Sequence, residues 1–200
     1  MSGRQRCARC QRPVPQCFCA RLTPVAHAWP VWIAQHPQEA RHALGTARIA
    51  AVGLRTCTLA LCAQEITPAA FPPHPHSPVL VYPHEGAAPL ETLPLDTPRP
   101  LLFLDGTWRK STRMWHESPW LQSLPAYALQ PMTPSRYRIR REPSANALST
   151  LEAIVLALGT LEGKAHRFES MLAVMDQLIE EQIARMGPEL YARNYGESAG

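Results

Sequence analysis

A carboxylate, a flexible glycine, a hydroxyl and an aromatic ring follow one another at the end of an apolar run. Residues 101–104 are Leu-Leu-Phe-Leu, and Asp105, Gly106, Thr107 and Trp108 come directly after them. Such a sequence is typical of a buried parallel strand whose carboxyl end meets a ligand crevice. The alternative is a tight Asp-Gly turn in which Thr107 caps the next helix. Turn chemistry alone does not require Trp108, so we favour a site here.

Four cysteines lie close together near the N-terminus, at Cys7, Cys10, Cys17 and Cys19. Four thiolates at this spacing suit a tetrahedral structural zinc, whose binding would fold a segment too small for a hydrophobic core of its own. The Cys-x-Cys half is tighter than the usual zinc knuckle, so an iron–sulfur cluster and no metal at all are the alternatives. We favour zinc.

Arginine is the dominant basic residue and is unevenly distributed. Eighteen of the 20 basic residues are arginine, and residues 1–60 contain eight arginines but a single acid, Glu39. The planar guanidinium suits phosphate binding and base stacking. The asymmetry therefore favours a nucleic-acid partner for the first two-thirds of the chain. An arginine-rich proteome with GC-biased codons is the alternative explanation.

Arginine alternates with apolar residues over 136–141, which reads Arg-Tyr-Arg-Ile-Arg-Arg. In an extended chain Arg136, Arg138 and Arg140 would share one face, and Tyr137 would lie on the other. Three guanidinium groups along one edge would follow a phosphate backbone. A solvated edge strand whose charges discourage aggregation explains the pattern equally well.

A polar segment with His36, Glu39 and His42 follows the first predicted strand. The His-x-x-Glu-x-x-His grouping suggests a metal site, but no third ligand of fixed spacing accompanies it, and Pro37 interrupts helical pairing. We favour an RNA-contacting polar loop over a metal site, and plain strand-to-helix capping over both.

A helix start is predicted at Ser149-Thr150-Leu151-Glu152. Ser149 or Thr150 can cap the helix, and Glu152 suits its positive end. A helix start with hydroxyl groups can also hold a charged small ligand.

The elements that must position these residues alternate between short apolar strands and helices. We predict strands over 31–34, 56–62, 79–82, 101–104 and 127–130, and helices over 41–52, 108–117, 148–161 and 168–186. Ten prolines between residues 68 and 100 rule out a regular helix there, and only 79–82 in that region is typical of a strand. The alternation predicts an α/β fold with a mostly parallel sheet.

The length of 200 residues suits one domain with a short appendage. We predict a cysteine-rich arm over 1–22 and the main domain over 23–200. No apolar run approaches the roughly 20 residues that span a bilayer, and the first residues have no apolar signal core. We expect a cytoplasmic protein without membrane association, and no protein partner is evident.

Taken together, the polar blocks resemble the DTW-domain family. The resemblance covers nearly the whole chain in order, and six blocks carry it: the cysteine arm, His36-Pro37-x-Glu39 with Thr46 and Arg48, Tyr82-Pro83, Leu104 to Trp108, Tyr137 to Arg140, and Ser149 to Ala153. Single blocks are weak, but six in sequence are specific. The family is named for Asp-x-Thr-Trp, which Asp105, Thr107 and Trp108 match.

The resemblance implies an activity and a fold. The activity is transfer of the 3-amino-3-carboxypropyl group of S-adenosyl-L-methionine to N3 of a tRNA uridine, in the variable loop for bacterial members. The fold is a SPOUT-like sheet with a C-terminal trefoil knot, a rare threading that no pattern in this sequence would suggest. The rival activities are an S-adenosylmethionine-dependent RNA methyltransferase and a non-catalytic zinc-bearing RNA-binding module.

The resemblance also implies residue roles. Asp105, Thr107 and Trp108 would form the reaction centre, with Asp105 either taking the N3 proton or holding the ammonium of S-adenosylmethionine. Trp108 would stack on uridine or adenine, although core packing is the alternative. Expected contacts to S-adenosylmethionine are Leu80, Tyr82, Pro83, Leu104, Asp105, Gly106, Ser149 and Glu152. Expected contacts to RNA are His36, Arg48, Arg109, Arg113, Arg138 and Arg140.

Overall fold

Six parallel strands form one sheet within the described residues. The computed structural model describes residues 5–42, 44–139 and 147–195. The strands are β1 Val31–Gln35, β2 Cys57–Leu61, β3 Val79–Val81, β4 Ala88–Pro89, β5 Leu101–Asp105 and β6 Ala126–Ala128. Their order across the sheet is β2-β1-β5-β3-β6-β4, and each neighbouring pair is parallel. The predicted α/β class with a mostly parallel sheet is confirmed.

The central strands β1 and β5 run side by side in matched register, from Val31 opposite Leu101 to Gln35 opposite Asp105. All of β1 and most of β5 are buried, which explains why both sequences are apolar runs rather than alternating ones. The register carries two polar residues, Gln35 and Asp105, to the same edge of the sheet.

Helices cover both faces of the sheet. They are α1 Thr46–Gly53, α2 Trp108–His116, α3 Pro119–Ser123, α4 Thr150–Glu162, α5 Glu169–Met186 and α6 Pro188–Tyr195. Helices α1, α4 and α5 bury their apolar residues against one face, and α2 and α3 pack against the other. Among the described helices, none is both long and apolar enough to cross a bilayer.

The cysteine-rich segment packs on the main core. Cys10, Phe18 and Leu22 are buried in the same apolar cluster as α1, α4 and α5. Arg21 forms a 2.8 Å ion pair with Glu181 of α5. The segment is therefore anchored to the helical layer rather than extended into solvent.

Several predicted boundaries are wrong. The helix predicted over 41–52 is a short 3-10 turn at Glu39–Arg41 followed by α1, because the backbone of His42 is extended (φ −68°, ψ 132°). The proline-rich region contains a second strand, β4, whose proline is tolerated at the edge of the sheet. The short helices α3 and α6 were not predicted; both begin with a proline, which suits the first turn.

The arginine-rich segment is not a strand in its described part. Tyr137 and Ile139 are only 5% and 6% exposed, whereas Arg136 and Arg138 are exposed and reach toward α5. Burial alternates as predicted, but the segment pairs with no described strand, so an edge strand is the wrong description. Arg140 lies outside the described residues.

Candidate active site and metal centre

Asp105 ends β5 and its side chain is held by two neighbouring elements. Thr150 at the start of α4 donates a 2.6 Å hydrogen bond to Oδ1, and Gln35 at the end of β1 donates a 2.8 Å hydrogen bond to Oδ2. Asp105 is only 6% exposed. Both donors are neutral, so they orient the carboxylate without cancelling its charge. This arrangement was not predicted from the sequence.

A cavity of about 310 Å³ lies beside this carboxylate. Its walls are mostly apolar, with a few polar groups, which is typical of a small-molecule site. Of the residues predicted for the site, it is lined by Tyr82, Pro83, Leu104, Gly106 and Trp108. Thr150, predicted only as a helix cap, also lines it.

Gly106 joins β5 to α2 and lies close to the first turn of that helix. A Cβ atom at this position would lie 3.1 Å from Cβ of Lys110 and 3.3 Å from Oγ of Ser111. Ser111 also donates a 3.3 Å hydrogen bond to the carbonyl oxygen of Gly106. A side chain here would therefore require Lys110 and Ser111 to shift by a few tenths of an ångström.

Thr107 and Trp108 lie at the start of α2 and have different surroundings. Thr107 occupies the N-cap position, but its exposed hydroxyl makes no capping hydrogen bond. The alternative interpretation of this segment, in which the Thr107 hydroxyl caps α2, is therefore wrong. Trp108 is half-buried, packs against the apolar cluster under α2 and also lines the cavity, so its ring serves the core and the site together.

Tyr82 lies beside Trp108 and is itself surrounded by further aromatic rings. The ring of Tyr82 lies 6.2 Å from that of Trp108, and its hydroxyl is 2.9 Å from the hydroxyl of Thr112. His84 and Trp115 stack at 4.9 Å. His84 and Trp115 were missed from the sequence, because residues so far apart in the chain give no local signal of their stacking.

Four of the predicted cofactor residues, Asp105 among them, are not among the residues that line the cavity. Leu80 is fully buried in the core beneath the sheet. Ser149 and Glu152 form a capping box at the start of α4, which confirms the predicted helix cap. Glu152 also accepts hydrogen bonds from the Ser135 hydroxyl at 2.8 Å and the Arg136 main-chain N–H at 2.6 Å. The interactions of Ser149 and Glu152 thus fix the start of α4, from which Thr150 lines the cavity.

The residues predicted to contact RNA lie in contrasting surroundings. Arg113 forms an exposed 2.7 Å ion pair with Glu117, and Arg138 pairs with Glu180 of α5. Arg109 is exposed and forms no ion pair with any residue that the structure describes. Exposed pairs of this kind stabilise the fold little, but they partly offset the positive charge offered to a polyanion.

His36 directly follows β1, and Arg48 lies in α1. The His36 main-chain N–H donates a 2.9 Å hydrogen bond to the Asp105 carbonyl oxygen. Arg48 donates to the carbonyl oxygens of Ala40 and, at 3.3 Å, of Cys10. Burial lowers the pKa of Arg48 from its usual range, and Arg6 nearby lowers it further. Arg48 thus links α1 to the cysteine-rich segment.

The four N-terminal cysteines form a compact cluster. Their sulfur atoms all lie within 4.8 Å of one another, with Cys7 and Cys19 at 3.8 Å and Cys10 and Cys17 at 3.7 Å. A tetrahedral zinc with Zn–S bonds of about 2.3 Å separates its sulfur ligands by roughly 3.8 Å. The cluster therefore fits a zinc ion.

The pKa values of two thiols in the cluster are shifted in opposite directions. Main-chain N–H groups of Cys10 and Arg9 lower the pKa of Cys7 to about 6, whereas burial raises the pKa of Cys19 to about 12. The backbone therefore stabilises one thiolate, and a metal ion would supply the positive charge that the remaining thiolates need.

Comparison with known proteins gives a consistent result. A family model described as the DTW domain matches residues 4–183. A tRNA-uridine aminocarboxypropyltransferase 2 of Drosophila melanogaster is 30% identical over 90% of this chain and 76% of its own length. Proteins of the same name from Macaca fascicularis and Mus musculus are 29% and 28% identical, over 90% and 96% of this chain and 64% and 70% of their own. No match was found among solved structures. Because the family model covers most of the chain, this protein belongs to the DTW domain family.

Proposed function

We propose that this protein is a tRNA-uridine aminocarboxypropyltransferase. It transfers the 3-amino-3-carboxypropyl group of S-adenosyl-L-methionine to N3 of a tRNA uridine and releases 5'-methylthioadenosine. The observation that carries the proposal is the oriented carboxylate of Asp105 beside a largely apolar cavity. Relatives that bear this activity in their names support it.

S-adenosylmethionine would occupy the cavity between β3 and α4. Tyr82, Pro83 and Leu104 offer apolar surface for the adenosine, and Gly106 leaves space for the methionine end near Asp105. Ser149 and Glu152 would support the ligand through the first turn of α4, and Leu80 from the core behind Tyr82.

The transfer exchanges one bond for another. A bond forms between uridine N3 and the γ-carbon of the methionine portion, and the bond between that carbon and sulfur breaks. The electron pair of the broken bond stays on sulfur, which leaves as a neutral thioether. The sulfonium has three carbons open to attack, so the pocket must select the γ-carbon by presenting it in line with N3.

Two uses of Asp105 fit its surroundings. As a general base it would take the N3 proton, so transfer would fail as the carboxylate becomes protonated. As a partner of the α-ammonium it would bind S-adenosylmethionine by a charge-assisted hydrogen bond, its loss would weaken binding of that substrate, and the N3 proton would pass to water. Calorimetry of S-adenosylmethionine binding to Asp105→Asn, with a pH profile of transfer by the wild type, separates the two, because only loss of an ammonium partner would weaken that binding.

The RNA partner would present a splayed uridine to the cavity. Trp108 has an aromatic face at the cavity, and stacking of an unpaired base on such a ring is the usual way in which proteins hold single RNA bases. Thr107, whose hydroxyl is exposed beside Trp108, would contact the transferred group. Phosphates would be contacted by His36, Arg48, Arg109, Arg113, Arg138 and Arg140.

The remaining parts of the proposal concern the fold and the metal. Zinc would bind Cys7, Cys10, Cys17 and Cys19 and hold the arm over residues 1–22 on the domain over 23–200. We assign the sheet to the SPOUT class with a C-terminal trefoil knot, and the protein to the cytoplasm. Tracing the chain between α2 and α4 in an experimental structure tests the knot.

The activity is tested with two differently labelled forms of S-adenosylmethionine and unmodified tRNA. Label in the carboxyl group should enter the RNA, and label in the methyl group should not. Entry of the methyl label alone would make the protein a methyltransferase. Binding of tRNA without transfer of either label would make it a binding module. Nucleoside mass spectrometry of tRNA from a deletion strain, with and without complementation, then identifies the modified uridine.

A further inference from the structure

A second cavity, of about 200 Å³, lies between the cysteine-rich segment and the chain that joins β1 to α1. Arg6 and Arg12 line it from the cysteine-rich side, and Arg41, His42 and Arg48 line it from the other side. Among the described residues, no aspartate or glutamate lines it. The cavity therefore collects positive charge from two separate parts of the chain.

The charge of Arg6 and Arg41 remains available to a ligand, because neither forms an ion pair with a described residue. Arg6 donates a 2.8 Å hydrogen bond to the carbonyl oxygen of Gln11, and Arg48 donates to two further main-chain carbonyls. Carbonyl oxygens orient a guanidinium but bring no negative charge. Arg41 is exposed and forms no ion pair within the part of the chain that the structure describes.

Other arginines differ in this respect. Arg113 pairs with Glu117, which follows α2, and Arg136 and Arg138 pair with carboxylates of α5. The second cavity thus combines several basic groups, an enclosing shape and no acidic residue among its described lining. Guanidinium groups that meet in one concave site favour a phosphate, to which they can donate paired hydrogen bonds.

The second cavity and the reaction cavity share one edge of the sheet. Residues that follow β1 line the second cavity. Residues that follow the neighbouring strand β5 line the first cavity, in which we propose that the transfer takes place. A 2.7 Å ion pair between Lys110 of α2 and Glu39 joins the two sides. One RNA chain could therefore contact both.

We infer that the cavity between the cysteine-rich segment and α1 binds a backbone phosphate of the RNA substrate. The inference rests on the proposed function, because it assigns a place on the protein to the same tRNA. The cysteine cluster would then have a second role, because the bound metal would hold Arg6 and Arg12 in position opposite Arg41 and Arg48 in the second cavity. The contact is to the backbone, so it carries no base specificity.

The test uses Arg6→Ala and Arg41→Ala, because both side chains are exposed and neither belongs to the core. The control is Arg55→Ala, which removes an exposed arginine just before the amino end of β2, away from the carboxyl ends of β1 and β5. Binding of unmodified tRNA to the zinc-loaded full chain is measured by fluorescence anisotropy at several salt concentrations. Binding of S-adenosylmethionine is measured by calorimetry.

Each cavity variant should weaken tRNA binding by about 5- to 10-fold at low salt and reduce the slope of log Kd against log salt by about one. The loss should be similar for different tRNAs, and binding of S-adenosylmethionine should not change. Arg55→Ala should bind tRNA as the wild type does. A zinc assay identifies any disturbance of the cluster by Arg6→Ala, and Arg41→Ala tests the site from outside the cluster.

Wild-type tRNA affinity and salt dependence in Arg41→Ala would overturn the inference, as would an equal loss in Arg55→Ala. In either case, transfer of the carboxyl label by the wild type would leave the proposed function intact. Failure of the wild type to transfer that label would instead refute the proposed function.

Discussion

Thr150 donates a 2.6 Å hydrogen bond to Asp105, across 45 positions of sequence. The contact joins the first turn of α4 to the last residue of β5, and Gln35 completes it from β1. The capping box of Ser149 and Glu152 fixes the same helix start. The carboxylate of the motif is therefore held by the packing of three elements and not by its own turn.

Thr150→Val should reduce aminocarboxypropyl transfer, because it removes one donor from the carboxylate and keeps the shape of the side chain. A hydrogen bond to a charged group contributes about 1.5–3 kcal/mol, so we expect a decrease of roughly 10- to 100-fold in kcat/KM. Thr150→Ser should restore most of the activity, since it returns the hydroxyl. Thr160→Val on the same helix is the matched control. Equal activity of Thr150→Val and wild type would show that this contact is not needed.

Asp105→Asn should abolish transfer and leave tRNA affinity within about 2-fold of the wild type. The amide has the same size but carries no charge, so it can neither take a proton nor hold an ammonium. Anisotropy with tRNA and the carboxyl-label assay measure the two properties separately. Asp96→Asn, at an exposed position, is the control. Loss of folding or of tRNA binding in Asp105→Asn would instead identify a structural turn.

The sequence predicts the strands well where burial determines their composition. The strands β1 and β5 are apolar up to their last residue, because both faces of the sheet are covered. Each then ends in a polar residue at the carboxyl end of the sheet. Their adjacency depends on strand order, however, and strand order is set by long-range packing. Two polar strand ends therefore suggest a link between Gln35 and Asp105, but they do not establish that the two side chains meet. The two-residue strand β4 is too short to show any periodicity.

The arginine-rich segment shows why partners are harder to predict than patterns. Alternation in the sequence correctly separates the buried Tyr137 from the exposed Arg136 and Arg138. It contains no information on the acidic residues of α5 that pair with these arginines. The sequence did not predict the second cavity either. Its arginines come from distant parts of the chain and meet only when the cysteine-rich segment folds against α1.

Cys10→Ser should release the metal and destabilise the protein. Cys10 is fully buried, and its sulfur lies among the other three. Oxygen is a poorer zinc ligand than thiolate, and the segment is anchored to the core, so we expect loss of the bound zinc and a free energy of unfolding lower by at least about 2 kcal/mol. Zinc content by mass spectrometry and urea unfolding measure both effects. Cys62→Ser, outside the cluster, should retain zinc; an equal zinc content in Cys10→Ser would argue against a four-cysteine site.

His27 should make the stability of the fold depend on pH. Its Nδ1 donates a 2.7 Å hydrogen bond to the carbonyl of Trp29, and its Nε2 accepts a 3.2 Å hydrogen bond from the main-chain N–H of Thr56. The hydrogen bond accepted by Nε2 requires a neutral ring, and burial lowers the pKa of His27 below its ordinary value of 6.5. The hydrogen bond to Trp29 and the charge of Glu162 act against this shift of the pKa, and Arg167 reinforces it.

The lowered pKa determines the direction of the effect. Above pH 6.5 the ring is neutral in both the folded and unfolded states, so its contribution to stability is fully present. As the pH falls from there through the folded-state pKa, the unfolded state binds the proton first and stability is lost. Urea unfolding of wild type and His27→Gln, from about pH 7.5 to about pH 5, should show a smaller loss in the variant. The exposed His166→Gln should follow the wild type, and parallel curves for His27→Gln and wild type would contradict the prediction.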